Sequence, residues 1–187
     1  MRLLLDTCVL YPTVMREVLL GVAATGAFKP LWSERILEEW ARAARKIGPN
    51  GETQARGEIA ALRAAWPNSE VRWKPSLEDR LYLPDPADTH VLAAAIASSS
   101  DAIVTMNAKD FPRNTLAEEG LERIDPDALL RRLWGDDPEG VGAVCQAVRA
   151  EAERLSGEPW EMRRLLKKAR LPKLAKAVAE YGVLANR

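Results

Sequence analysis

Short apolar runs alternate with helix-spaced segments along the first two thirds of the chain, and this alternation limits the fold more than any other feature. Leu3–Leu5, Val71–Trp73, Asp101–Thr105 and, more weakly, Leu121–Ile124 read as strands. Between them, apolar residues recur at helical spacing over 14–27, after Ser33, from Glu52 to Trp66, and from Pro86 to Ala97. Asp125-Pro126 opens a further helix reaching Trp134. Strands alternating with helices predict an α/β domain with a mainly parallel sheet. Beyond the break at Gly135-Asp136-Asp137-Pro138 the pattern is helical only, over 138–155, 159–169 and 172–181. The expected organisation is therefore an α/β domain over 1–134 and a helical extension over 135–187.

Composition removes several classes. With 47% hydrophobic and 29% charged residues, 187 residues can bury a core without covalent staples, and disorder is excluded. Cys8 and Cys145 lie too far apart in sequence to suggest a disulfide scaffold or a paired-cysteine zinc site. His90 is the only histidine, so mechanisms that need two imidazoles are ruled out. No apolar run approaches the roughly 20 residues of a membrane span. The opening Met1-Arg2-Leu3-Leu4-Leu5 meets Asp6 at once, unlike the apolar core of a signal peptide, and a cytoplasmic location is expected.

Net charge is zero, yet residues 161–187 carry eight basic and two acidic side chains. The rest of the chain is acidic by the same margin. An acidic body with a basic tail suits a cation site and a polyanionic partner together.

The acids gather where ligands bind in parallel sheets, at the carboxyl ends of the strands. Asp6 follows the first strand directly, and Thr105, Asn107 and Asp110 follow another. In the helix after Ser33, Ile36, Leu37, Trp40, Ala43 and Ala44 make one face; Glu39 lies at its edge and Glu38 points away. In the later helix, Asp88 projects amid Val91, Leu92, Ala95 and Ile96. A carboxylate on a buried face is costly unless paired or metal-bound. Asp85 is best read as a helix cap, while capping and ligation compete for Asp88. His90 lies off the apolar stripe and reads as a surface residue. Converging carboxylates repel one another and need a cation or protons. Oxygen ligands suit Mg²⁺ or Mn²⁺ over zinc, and phosphodiester hydrolysis is the natural chemistry.

At these residues the sequence resembles the PIN-domain nucleases, in particular the VapC-type toxins of type II toxin–antitoxin systems. The matching segments are Leu3 to Leu10, Leu31 to Trp40, Leu83-Pro84-Asp85-Pro86-Ala87-Asp88, and Ile103 to Pro112. The resemblance implies a three-layer α/β/α sandwich and Mg²⁺- or Mn²⁺-dependent endonucleolytic cleavage of RNA. It carries the catalytic acids over to Asp6, Glu39 and Asp88, with Asp110 as a further metal-ligating acid because Asn107 is neutral. Thr7, Ser33, Thr105 and Asn107 fall where supporting polar groups belong. Cys8 departs from the Asn frequent at that place. A cognate antitoxin and self-association are the partners it implies, with no membrane role. In the extension, Arg163, Arg164, Lys167 and Lys168 are candidate RNA contacts.

Three alternatives compete with this reading. A catalytically degenerate PIN scaffold would bind RNA or a protein without cutting, and a phage-defence nuclease would act outside a toxin pair. A haloacid-dehalogenase-type phosphatase would need a second Asp where Cys8 stands.

Overall fold

The computed structural model describes residues 1–185, with side chains through residue 180. In chain order the elements are β1 (Arg2–Leu5), α1 (Thr7–Leu10), α2 (Thr13–Ala24), β2 (Lys29–Ser33), α3 (Glu34–Ala43), a 3₁₀ turn (Ala44–Ile47), α4 (Gly51–Ala65), β3 (Glu70–Val71) and α5 (Pro75–Asp79). A second 3₁₀ turn (Pro86–Asp88) leads into α6 (Thr89–Ala97), β4 (Ala102–Val104), α7 (Arg113–Glu118) and β5 (Glu122–Ile124). The helices α8 (Pro126–Asp136), α9 (Pro138–Ser156), α10 (Met162–Lys168) and α11 (Pro172–Ala185) complete the chain. This is the α/β/α class expected from the sequence, with additional C-terminal helices.

The chain forms two compact units. One comprises Met1–Tyr11 and Lys29–Ile124; the other comprises Pro12–Phe28 and Asp125–Arg187. The last two residues of the latter lie outside the described residues.

The first unit holds the whole sheet. Its five strands are parallel in the order β3-β2-β1-β4-β5. β1 is central, with Leu4 beside Leu31 on one side and Ile103 on the other. Leu3, Leu4 and Leu5 are fully buried, as a strand covered on both faces requires. β2 was not expected, because Pro30 argues against a central strand. Lys29 N bonds Met1 O on the β1 side, so the Pro30 nitrogen faces the β3 side. There β3 pairs only with Trp32 and Ser33, and no ladder bond is lost at Pro30.

Local signals explain the helix starts. Ser33 accepts from Ile36 N at 3.2 Å and caps α3. Asp85 accepts from Ala87 N at 2.9 Å and caps the turn that leads to α6, as read from sequence.

The second unit is helical. Asp125 caps α8 and Asp137 caps α9. Asp127 is buried, and its two oxygens accept from Lys173 N at 2.8 Å and Leu174 N at 3.0 Å. A carboxylate thus closes the open amide end of α11, where the helix dipole favours negative charge.

Candidate active site

All five strands run the same way, so the chain leaves them at one rim. Asp6 follows β1, Ser33 ends β2 and Thr105 follows β4. Asp6 is buried, and its Oδ2 accepts from the Thr105 hydroxyl at 2.7 Å and from Cys8 Sγ at 3.0 Å. Cys8 Sγ in turn accepts from Met106 N at 3.2 Å. The thiol therefore links the Asp6 carboxylate to the backbone of the loop after β4. Burial, and then the charge of Asp6, push its pKa up to about 12.

Glu39 stands half-buried on α3. Its Oε2 accepts from the Thr7 hydroxyl at 2.8 Å, and its Oε1 lies 2.8 Å from His90 Nε2. That approach is close enough for an ion pair, but the ring N–H points off the line of a hydrogen bond. Burial pulls the Glu39 pKa upward, yet His90, the Thr7 hydroxyl and Arg35 outweigh it and hold the carboxyl below its usual range.

Asp88 ends the turn before α6. The Asn107 amide donates to Asp110 Oδ2 at 2.7 Å and to Asp88 Oδ2 at 3.3 Å, bridging the two acids. The backbone N–H of Asn107 donates to Thr105 Oγ1 at 2.9 Å. From β5, Arg123 donates to the Ala108 and Phe111 carbonyls and holds the loop that carries Asp110.

Asp85, Asp88 and Asp110 can each place an oxygen within 4.8 Å of the others. Burial and the charges of Asp6, Asp85, Asp110 and Glu39 raise the Asp88 pKa to about 6. Among the described residues, no Lys or Arg pairs with Asp6, Asp85, Asp88 or Asp110. Several hard oxygens sharing uncompensated charge fit a divalent cation. Asp85 caps the turn, the reading preferred for it from the sequence, and also joins this cluster. Spacing with Asp88 across the Pro86 turn was the signal for it.

The reading of His90 as a surface residue is wrong. His90 is fully buried, its ring stacks on Trp73 with centroids 6.3 Å apart, and its Nδ1 has no partner among the described residues. The helix α6 is buried on nearly every side, so the apolar stripe did not mark a single inward face. The Ser33 hydroxyl caps α3 instead of touching an acid. Arg163, Arg164, Lys167 and Lys168 are exposed on α10, in the helical unit.

The sequence matches the PIN domain family over residues 2–109. The chain belongs to the PIN-domain family. That segment ends between Asn107 and Asp110 and contains Asp6, Glu39, Asp85 and Asp88. PIN domains are generally metal-dependent nucleases, and the acidic cluster of this one is compatible with metal binding. No curated protein and no solved structure matched the chain. Among the described residues, no helix is long and apolar enough to cross a membrane.

Proposed function

We propose that this PIN-domain protein is a divalent-metal-dependent endoribonuclease and the toxin of a bacterial toxin–antitoxin pair. The observation that carries the reading is the gathering of Asp85, Asp88 and Asp110 within reach of one ion, with Asp88 pushed to about 6 by burial and then by its acidic neighbours. Asp88 and Asp110, with Asp85 beside them, would hold Mg²⁺ or Mn²⁺, and Asp6 and Glu39, which lie outside that three-acid group, are taken as the further ligands. When bound, such an ion activates water and stabilises negative charge on a phosphate.

The protein's own groups set the stage for that chemistry. Thr105 and Cys8 fix the Asp6 carboxylate from one side, leaving its Oδ1 for another partner. The Thr7 hydroxyl holds Glu39 by a hydrogen bond, and the buried His90 ring stands against its other oxygen. Asn107 spans Asp88 and Asp110, adding a donor where another acid would add charge.

The segment 1–134 is taken as the nuclease domain, with 135–187 as an appended helical extension. Arg163, Arg164, Lys167 and Lys168 are taken as RNA contacts on α10. Arg164 and Lys168 lie over the Trp160 ring at 5.5 and 4.8 Å, an aromatic face beside cations such as single-stranded RNA uses. A cytoplasmic site of action and a cognate antitoxin complete the proposal.

The test is cleavage of labelled single-stranded RNA with Mg²⁺ or Mn²⁺ by the wild type, Asp6→Asn and Asp88→Asn, purified identically. Cleavage by the wild type alone supports the nuclease. Equal cleavage by all three, or by none, overturns it. Growth arrest on expression, relieved by co-expressing the neighbouring small gene, tests the toxin role; indifference to that gene rejects it.

A further inference from the structure

A cleft of about 510 Å³ in the sheet-bearing unit is lined by Arg72, Trp73, Lys74, Ser76, Leu77 and Arg80 together with Ala97. Its cations stand on the segment that leaves β3, the strand beside β2, and on the end of α5. Because β3 is parallel to its neighbours, the chain enters this segment at the rim where Asp6, Ser33 and Thr105 lie. Arg72 and Lys74 are exposed, and neither forms an ion pair among the described residues. Arg80 is engaged by Glu119 through two contacts of 2.7 and 2.9 Å.

The segment is tied to the acidic site by a closed ring of side chains. Trp73 Nε1 donates to Glu78 Oε2 at 2.9 Å, and Arg35 Nη1 donates to Glu78 Oε1 at 3.1 Å. Arg35 Nε lies 3.9 Å from Glu39 Oε1, which His90 approaches at 2.8 Å. The His90 ring then stacks back on Trp73. Five side chains thereby fix where the cleft stands relative to Glu39.

We propose that this cleft seats the phosphates of the RNA strand next to the stretch being cut, with Arg72 and Lys74 as the phosphate contacts. The proposal rests on the ribonuclease reading for the identity of its polyanion. Two unpaired cations beside an acidic, cation-requiring pocket give a polyanion a separate place to be held. A strand repelled by the carboxylates is retained by the neighbouring positive cleft. The Trp73–Glu78–Arg35–Glu39–His90 ring keeps the two places in fixed register, so Arg35, Trp73 and Glu78 are positioning residues.

The experiment is fluorescence anisotropy with a labelled single-stranded RNA in EDTA, across a salt series. It compares the wild type with Arg72→Ala/Lys74→Ala, Arg72→Lys/Lys74→Arg and Lys46→Ala. Lys46 is an exposed cation elsewhere on the same unit. The double alanine variant is expected to raise Kd tenfold or more and to flatten the log–log salt slope by about 0.7 for each lost contact. The charge-conserving pair should restore both, and Lys46→Ala should change neither. Unchanged Kd and slope in the double alanine variant would overturn the proposal. So would an equal loss per charge in Lys46→Ala, which marks a general charge effect. Tight binding without cleavage in Mg²⁺ or Mn²⁺ would sink the nuclease reading alone, whereas cleavage with unaltered binding by the variant would sink the cleft alone.

Discussion

The Thr105 hydroxyl donates to Asp6 Oδ2 at 2.7 Å across the β1–β4 pair, with both residues buried. The same hydroxyl oxygen accepts from Asn107 N at 2.9 Å. One side chain therefore orients the first acid and anchors the loop that carries the bridge to Asp88. Thr105→Val keeps the branched shape but removes both bonds. A loss of about 1–3 kcal/mol in stability is expected from the unpaired buried groups, measured by urea unfolding. Affinity for Mn²⁺ should fall as well.

Asp88 gives a pH signature. Its folded pKa of about 6 lies above the ordinary 3.8, so the folded chain holds this proton more tightly than the unfolded chain. The contribution is destabilising above pH 6 and is relieved as pH falls from about 6 toward 3.8. The metal-free wild type should gain stability from this group over that window, and Asp88→Asn should lose this part of the pH dependence. At pH 7 the metal-free Asp88→Asn protein should melt higher than the wild type. Thermal melts in EDTA across pH check both statements.

The thiols should be unreactive in the folded protein. Burial, helped at Cys8 by the charge of Asp6, pushes Cys8 up to about 12, and burial does the same to Cys145. The thiolate is the reactive form. A disulfide reagent at pH 8 should therefore titrate both thiols only after denaturant is added.

Asp127 supports the helical unit alone. Asp127→Ala would leave the amides of Lys173 and Leu174 without their acceptor, at a cost of about 1–3 kcal/mol. Asp127→Asn should also lose stability, since its single amide oxygen can accept from only one of the two N–H groups and its amide nitrogen, a donor, faces the other. Chemical denaturation of both variants measures the difference.

The sequence made Asp6 legible because a triple leucine run ends on it, and it made Ser33 and Asp85 legible as caps. Glu39 was separated from Glu38 by helical angle, and the structure agrees: Glu39 meets Thr7 and His90, while Glu38 pairs with Arg42 and Arg56. His90 and β2 were not legible, for related reasons. A helix buried on all sides carries no stripe to count from, and Pro30 is acceptable in a central strand only because its neighbour β3 is two residues long. The Trp73–Glu78–Arg35 link joins residues distant in sequence, and no periodicity reports such contacts.

Titration of Mn²⁺ into metal-free protein, followed by the loss of the free-ion resonance, tests most directly whether these carboxylates share a cation. The wild type should bind stoichiometrically at pH 7 and more weakly at pH 5, where Asp88 holds its proton. Asp88→Asn should lose tenfold or more in affinity. A wild type that takes up no Mn²⁺, or an Asp88→Asn protein that binds it equally well, would contradict the account.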